Sequence, residues 1–148
     1  MRYEAPAFGV GQLWLDGDRV LWSELPRPSE TRPGSGPGHA LAERLREFFA
    51  GAPDDFNDVE LDFDDGFYGD CQRVLRTVSR GDVVTYGELA ALAGYPNAQR
   101  AAGSVCAHNR FPLVVPCHRV VAGNGIGRYG ASGVEYKRRL LELERVFL

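Results

Sequence analysis

Residues 85–107 read TYGELAALAGYPNAQRAAGSVCA, and this stretch decides the predicted fold of the chain. Thr85 and Glu88 have the spacing of a capping box, in which each side chain bonds the backbone N–H of the other residue. The box predicts a short helix that begins at about Tyr86. The helix is expected to end at Gly94, because glycine accepts the backbone conformation that terminates a helix.

A second helix is predicted over residues 98–107, with Asn97 as its N-terminal cap. The Gly94-Tyr95-Pro96 turn lies between the two helices. Two short helices joined by a tight turn are typical of a helix-turn-helix, which places its second helix in a groove of DNA. Many helical pairs share this pattern, so the pattern alone does not establish nucleic-acid binding.

Further helices are predicted on both sides of this motif. An apolar stripe at helical spacing precedes it and ends at Gly81. The members of the stripe are Phe67, Cys71, Val74, Leu75 and Val78. A glycine-rich loop spans residues 123–133, and a last helix is predicted over 134–145. Leu140, Leu141 and Leu143 are expected to face the core from that helix.

The first half of the chain predicts a small α/β scaffold. Residues 8–15 and 19–25 are expected to form two strands around Asp16-Gly17, a strong hairpin signal. A flexible loop rich in Pro, Gly and Ser follows over 26–38, and then an amphipathic helix over 40–50. Alternating apolar and acidic residues predict a half-buried strand over 59–63. Nothing in this half has the layout of an active site.

These elements predict an α+β protein with a scaffold domain over residues 1–66 and a mostly helical domain over 67–148. The same two halves also differ in net charge. Residues 1–66 hold 6 Lys+Arg against 14 Asp+Glu, a net charge of −8, whereas residues 67–148 hold 11 against 6, a net charge of +5. A basic half suits a polyanion-binding module, although one acidic region would skew the count in the same way.

Composition argues against several classes of protein. No apolar run approaches the roughly 20 residues of a membrane span, and the N-terminus lacks the layout of a signal peptide, so a cytoplasmic protein is expected. Cys71, Cys106 and Cys117 have no paired spacing, which argues against a disulfide framework. The absence of any CxxC pair or His-x-x-x-His spacing argues against a zinc site.

The strongest chemical signal is Cys117 followed by His118, in the run Val115-Pro116-Cys117-His118-Arg119-Val120. Histidine can take the proton of a thiol and so produce a thiolate nucleophile. The alternative is a buried structural cysteine beside an unrelated histidine. Neighbouring side chains of an extended chain point to opposite faces, so proton transfer between the two needs a turn or a bridging water.

The run PCHRV at residues 116–120, with Asn109 eight residues before the cysteine, resembles the active-site signature of O6-alkylguanine-DNA alkyltransferases, also called methylated-DNA–protein-cysteine methyltransferases. The resemblance extends to GDVVTYGELA at 81–90, to the recognition helix within 94–104 and to KRRLLELE at 137–144. It covers residues 67–148, which makes it far more specific than a short motif. The first half is similar to the family's variable N-terminal domain only in outline.

The resemblance implies a ribonuclease H-like first domain and a winged helix-turn-helix second domain. It also implies DNA repair in a single turnover. An alkyl group moves irreversibly from O6 of guanine, and less readily from O4 of thymine, in double-stranded DNA to a cysteine of the protein. No metal or other cofactor and no membrane partner is expected, and the protein is expected to act as a monomer.

The resemblance assigns catalytic roles to five residues. Cys117 would be the nucleophile and alkyl acceptor, and His118 the general base that takes its proton through a water. Glu144 would orient His118, as in a catalytic triad. Asn109 would hold the turn around the site, and Tyr86 would donate a hydrogen bond to the guanine ring. From the residues alone, a loop residue at Asn109 and a core aromatic at Tyr86 would be favoured.

The resemblance also implies a base pocket. The backbone carbonyls of Cys117 and Val120 would accept from the exocyclic amine of guanine. Tyr129 would line the alkyl pocket, and the backbone near Gly130 would donate to O6.

Arg100 is implied as the side chain that fills the stack when the damaged base is flipped out. Small residues would let its helix approach the DNA backbone in the minor groove. They are Ala98, Ala101, Ala102, Gly103 and Ser104. The alternative is a tightly packed helix pair with Arg100 as a solvated charge.

The chain departs from the family pattern at two places. The family usually has proline directly after the asparagine, where this chain has Arg110, for which a phosphate contact is expected. The loop at residues 127–133 is one residue longer than the family form and lacks a serine after Tyr129. The contact to O6 and the size of the accepted alkyl groups therefore stay open.

Two other functions use some of the same features. Alkyltransferase-like proteins bind lesions but replace the reactive cysteine, usually with tryptophan, and Cys117 argues against that class. A cysteine hydrolase would use the Cys117–His118 pair, but it would not explain the basic half or Arg100.

Overall fold

The computed structural model describes residues 1–29 and 38–148. The chain forms two compact units, Met1–Asp62 and Phe63–Leu148, so the division follows residue 62 where the sequence predicted residue 66. Most of the loop predicted over 26–38 lies outside the described residues. Within the described ranges, no helix has the length and apolar character that a membrane span requires.

The first unit contains an antiparallel sheet in the order β1-β2-β3. Its strands are β1 at Arg2–Ala5, β2 at Gly9–Asp16 and β3 at Arg19–Arg27. The predicted hairpin is confirmed, since β2 and β3 pair in antiparallel register up to the turn. Sequence reasoning missed β1, because four residues are too few to establish an alternating pattern.

Helix α1 spans Ala40–Phe49, as predicted, and its apolar face contacts β1. The strand predicted over 59–63 is wrong. The backbone there makes one isolated bridge, between Leu61 and Val20. Val59 and Leu61 are nevertheless buried, so the alternating pattern reflects burial of one face without a continuous ladder of hydrogen bonds.

The second unit is mostly helical. Its helices are α2 at Gly66–Leu75, α3 at Tyr86–Leu92, α4 at Gln99–Ala107 and α5 at Val134–Leu143. Two short strands, β4 at Val84–Thr85 and β5 at Val120–Val121, pair in parallel. This pairing places the start of α3 beside the chain that follows Cys117 and His118.

The helix-turn-helix forms from α3 and α4, which pack against each other. The capping box is confirmed, since Thr85 and Glu88 each accept a hydrogen bond of 3.1 Å from the other residue's backbone N–H. The prediction that Asn97 caps α4 is wrong. Asn97 has a φ of +67°, and Ala98 occupies the N-cap position without a side-chain bond. Asparagine tolerates this left-handed conformation, so Asn97 completes the turn between the helices.

Helix α5 buries Leu140 and Leu141 as predicted, but Leu143, in its last turn, is only half-buried. Two charged residues share the buried face of this segment. Lys137 and Glu144 lie three residues before and four residues after Leu140, which is the spacing of one helical face.

Candidate active site

Cys117 and His118 lie on a short 3-10 turn, Cys117–Arg119, and not on an extended strand. The backbone N–H of Cys117 donates to the carbonyl of Val115 at 2.8 Å, and that of Arg119 donates to the carbonyl of Pro116 at 3.0 Å. Cys117 and His118 are both buried, at 4% and 0% exposure. The segment is therefore not extended, and the two side chains are not forced to point to opposite faces as they would be in a strand.

His118 is held by Glu144. The Nε2 atom of His118 lies 2.9 Å from Oε1 of Glu144, and both side chains are fully buried. Burial disfavours ionisation of Glu144, but hydrogen bonds from His118 and Arg119 outweigh it and lower the pKa of Glu144 to about 2. An ionised carboxylate can only accept a hydrogen bond, so Nε2 of His118 carries a proton and donates the hydrogen bond to Glu144.

The other ring nitrogen of His118 is then the basic one. Nδ1 is buried and has no hydrogen-bond partner among the described residues. Burial lowers the pKa of His118, although Glu144 partly opposes this effect, so the ring is neutral at physiological pH. A neutral imidazole whose Nε2 carries the proton has a free lone pair on Nδ1. This arrangement can accept a proton from a thiol.

Arg119 completes this cluster and was missed by sequence reasoning. Its Nε and Nη2 atoms bind the two carboxylate oxygens of Glu144 at 3.0 and 2.5 Å. Its Nη1 atom donates to the carbonyl of Val78 at 2.7 Å. The bidentate contact fixes the orientation of Glu144 and hence that of His118.

The Cys117 thiol lies among polar groups inside the protein. Its Sγ donates to Oη of Tyr129 at 3.6 Å. Burial raises the pKa of Cys117, while the charge of Lys137 and the hydrogen bonds that Asn109 and Tyr129 can donate to the thiolate partly oppose the rise. The thiol is therefore protonated at rest and needs a base to become a nucleophile.

Asn109 fixes the segment before the turn. Its Nδ2 donates to the carbonyl of Val115 at 2.9 Å, and its Oδ1 accepts from the backbone N–H of Phe111 at 3.0 Å. These two bonds tie the ends of residues 109–115 together, and the role in the active site that the resemblance implies for Asn109 remains a prediction.

Lys137 is a second residue that sequence reasoning missed. It is fully buried, and its Nζ donates to the carbonyls of Val120 at 2.5 Å and Arg128 at 2.9 Å. Burial lowers the pKa of Lys137 to about 8. Because the Val120 carbonyl already accepts from Lys137, a contact to guanine there must use the second lone pair of the oxygen. The available signal was the position of Lys137 on the apolar face of α5.

A cavity of about 600 Å³ lies beside this cluster. Tyr86, Tyr129 and Gly130, all predicted pocket or catalytic residues, line it. Tyr86 donates from its hydroxyl to the carbonyl of Arg128 at 3.4 Å, and burial raises its pKa. The volume is within the range of small-molecule sites. Among the described residues, Cys106 lines the cavity and Cys117 does not, but the thiol of Cys117 bonds Tyr129, which lines it.

The predicted DNA-contacting residues fall on different faces of α4. Arg100 and Ala101 are exposed, and Gly103 and Ser104 line the cavity. Ala98 is half-buried. Ala102 is fully buried, so the expectation that it faces DNA is wrong and its side chain belongs to the core. Arg110 forms an ion pair of 3.0 Å with Asp64, and its phosphate contact remains a prediction.

Residues 66–146 match the family model for the DNA-binding domain of 6-O-methylguanine DNA methyltransferase. A methylated-DNA–protein-cysteine methyltransferase of Methanopyrus kandleri is 42% identical over 107 residues, which cover 72% of this chain and 79% of the relative. The chain belongs to the O6-methylguanine DNA methyltransferase family. Its Mycobacterium tuberculosis relative of the same name is 39% identical over 146 residues, covering 92% of this chain and 87% of that one.

Solved structures of the O6-methylguanine DNA methyltransferase family share the fold. Mycobacterium tuberculosis OGT, crystallised in complex with DNA, has a TM-score of 0.81 at 32% identity and covers 97% of this chain and 91% of its own. The O6-methylguanine-DNA methyltransferase of Pyrococcus kodakaraensis has a TM-score of 0.74 at 27% identity, covering 99% and 98%. The similarity therefore extends over the first half of the chain, which sequence reasoning had matched only in outline.

Proposed function

We propose that Cys117 is the residue through which this family member repairs DNA, by accepting the methyl group of O6-methylguanine. The activity of the chain is that of a methylated-DNA–protein-cysteine methyltransferase. The observation that carries the assignment is the buried turn on which Cys117 precedes a histidine with a free Nδ1 and an ionised carboxylate on Nε2. Cys71 is followed by Gln72 and Cys106 by Ala107, so neither thiol has a histidine next to it in the chain, and burial raises the pKa of each thiol.

The methyl transfer involves side chains of the protein, water and the methylated base. Nδ1 of His118 takes the thiol proton through a water, and the Sγ thiolate of Cys117 attacks the methyl carbon. The new S–C bond forms as the C–O6 bond breaks, and the electron pair of that bond remains on guanine. Guanine takes up a proton from the Tyr86 hydroxyl, Tyr86 regains one from water, and the His118 imidazolium releases its own to water, so the net change moves one proton from the thiol to guanine. The products are unmodified guanine and S-methylcysteine, and no cofactor takes part.

Glu144 stabilises the imidazolium that forms on His118, and Arg119 keeps that carboxylate ionised and oriented. The contribution is electrostatic and acts inside a buried cluster, where charges interact more strongly than in water. The thioether product has no good leaving group, so each protein molecule is expected to react once. O4-methylthymine is expected to react by the same route more slowly.

The base reaches the thiol by leaving the duplex. Arg100, on the exposed face of α4, fills the vacated stack and lowers the cost of flipping, which is a few kcal/mol. The flipped guanine occupies the cavity next to Tyr86, Tyr129 and Gly130. Support for double-stranded DNA as the partner comes from the basic second half and from the M. tuberculosis relative, whose structure contains DNA.

The test is an intact-mass measurement after incubation with a duplex that contains one O6-methylguanine. The expected result is a stoichiometric gain of one methyl group per protein molecule, with no further turnover in excess substrate and no effect of a chelator. Tight binding without a mass change would instead identify a damage sensor. Neither binding nor a mass change would contradict the proposal.

A further inference from the structure

A polar cluster outside the reacting groups joins α2 to the active-site segment. Oδ1 of Asp64 accepts from Nη2 of Arg110 at 3.0 Å, and Oδ2 of Asp64 accepts from Nε2 of Gln72 at 2.7 Å. The backbone N–H of Asp64 donates back to Oε1 of Gln72 at 3.0 Å. We name Asp64, Gln72 and Arg110 the α2 bracket.

The bracket is built to hold Asp64 in one position. Gln72 is 1% exposed, and both ends of its amide are bonded to Asp64. Gly69 brings α2 against the same residue, since a Cβ there would lie 1.9 Å from the carbonyl oxygen of Asp64. The Arg110 and Asp64 side chains are 22% and 31% exposed, so their ion pair is less screened than one on the open surface.

The bracket is connected to the Cys117 segment through Phe111, Asn109 and Val115. The guanidinium of Arg110 lies 4.7 Å from the centre of the Phe111 ring, and the Phe111 backbone N–H donates to Asn109. Asn109 in turn binds the carbonyl of Val115, which also accepts from the backbone N–H of Cys117. Against the effect of burial, a hydrogen bond from Asn109 lowers the pKa of Cys117.

We propose that Arg110 and Asp64 are positioning residues, which hold the Asn109 segment so that its amide stabilises the Cys117 thiolate as it forms. The proposal rests on the function proposed above for Cys117. It gives Arg110 a role within the fold, in place of the phosphate contact that the sequence predicted. In this chain, the ion pair to Asp64 fixes a position where the family usually has the rigid ring of proline.

The test uses the free base O6-benzylguanine, since a reaction without DNA does not depend on any phosphate contact. Arg110→Ala and Asp64→Asn should each lower the second-order rate constant about tenfold, and the double variant should be no slower than either single variant. The pH dependence of the rate should shift to higher pH in all three variants, because the thiolate loses stabilisation. Asp64→Asn preserves size and polarity, so it decides the test if Arg110→Ala folds poorly by circular dichroism.

Arg138→Ala is the matched control. It removes an arginine that forms an ion pair with Glu135 on α5, and it should leave the rate and its pH dependence unchanged. Normal free-base rates in Arg110→Ala with weakened duplex binding would overturn the proposal and make Arg110 a DNA contact. Additive rate losses or an unshifted pH profile would also overturn it. If the wild-type protein is not alkylated on Cys117, the proposed function fails instead.

Discussion

Each unit of this protein contains a cluster of one arginine with acidic side chains, and the two clusters differ in burial. In the first unit, Arg44 binds both carboxylate oxygens of Asp54 and of Asp58 at 2.8–2.9 Å, and the three side chains are 31%, 20% and 72% exposed. In the second unit, Arg119 binds both oxygens of Glu144, and these side chains are 4% and 0% exposed. The same pairing chemistry thus occurs in a cluster that solvent reaches and in one that is buried.

The difference shows what makes the second cluster catalytic. Around Arg44, solvent screens the charges, and the side chains of the cluster saturate one another. Around Arg119, Glu144 has a further partner, His118, which adjoins the cysteine in sequence and whose second ring nitrogen has no hydrogen-bond partner within residues 1–29 and 38–148. A buried ion pair contributes little net stability but fixes the orientation of the groups it contains.

The largest effect is expected from Cys117→Ser, which leaves the buried cluster intact and removes its nucleophile. Methyl transfer should be abolished, because a serine hydroxyl is far less acidic and less nucleophilic than a thiol, while affinity for duplex DNA should be retained. Cys71→Ala is the control. It removes a buried cysteine of α2, so transfer should continue, with some loss of stability from the cavity. Transfer by Cys117→Ser would contradict the assignment.

Glu144→Gln and His118→Ala each alter the buried cluster and leave the nucleophile, Cys117, in place. Each should slow the reaction with free O6-benzylguanine and with duplex DNA by about a hundredfold, since both reactions need the thiol proton removed. Single-turnover kinetics under saturating substrate measures the effect. A normal rate in Glu144→Gln would mean that the buried cluster is structural, like the one around Arg44.

Arg100→Ala should affect only one of the two reactions. Arg100 is an exposed arginine of α4 and belongs to neither cluster. If it replaces the flipped base, its loss should slow repair of saturating duplex about tenfold, corresponding to one to two kcal/mol of the cost of flipping. The reaction with the free base should be unchanged. A normal rate with saturating duplex would reduce Arg100 to a surface contact.

Acid should weaken the second unit through its buried cluster. The pKa of Glu144 is about 2 in the folded protein against 4.5 for an unperturbed side chain, so its stabilising effect is present above pH 4.5 and is lost as the pH falls toward 2. Burial lowers the pKa of His118 below 6.5, so stability also falls as the pH drops below that value. Urea unfolding between pH 7 and pH 3 measures both losses. Glu144→Gln should lack the loss of stability below pH 4.5, because glutamine does not ionise.

The smallest effect is expected from Asp58→Asn in the Arg44 cluster, because the Asp58 side chain is 72% exposed. Its free energy of unfolding should fall by about 1 kcal/mol or less, because a solvent-screened ion pair contributes little. Glu144→Gln should cost about 3–5 kcal/mol, because it leaves Arg119 as a buried charge without its counterion. The rate of methyl transfer in Asp58→Asn should equal that of the wild type. A comparable loss of stability in the two variants would remove the distinction between the clusters.

Local patterns allowed some elements to be predicted and others not. The Asp16-Gly17 hairpin and the Thr85–Glu88 capping box were predicted correctly, because both depend on contacts within a few residues. Asn97 was misassigned because asparagine favours both an N-cap and a left-handed turn, and only the packing of α4 decides between them.

The candidate site depends even more on contacts between residues that are far apart in the sequence. The roles of Cys117 and His118 were predicted from adjacent residues together with the family resemblance, and they remain predictions. Arg119 and Lys137 were missed because charged residues are expected on the surface, and only long-range packing buries them against Glu144 and Val120. The helical spacing of Lys137 and Glu144 with Leu140 was the one local sign that charged groups faced the core.

A peptide map of the wild-type protein, after one turnover with duplex O6-methylguanine, shows directly which cysteine accepts the methyl group. Tandem mass spectrometry of the digest locates the added methyl group among Cys71, Cys106 and Cys117. If the His118–Glu144 pair selects the nucleophile, S-methylcysteine is expected at position 117 alone, in stoichiometric yield. A methyl group on Cys106, which lines the same cavity, or on Cys71 would contradict the central claim that the buried His118–Glu144 pair selects the nucleophile.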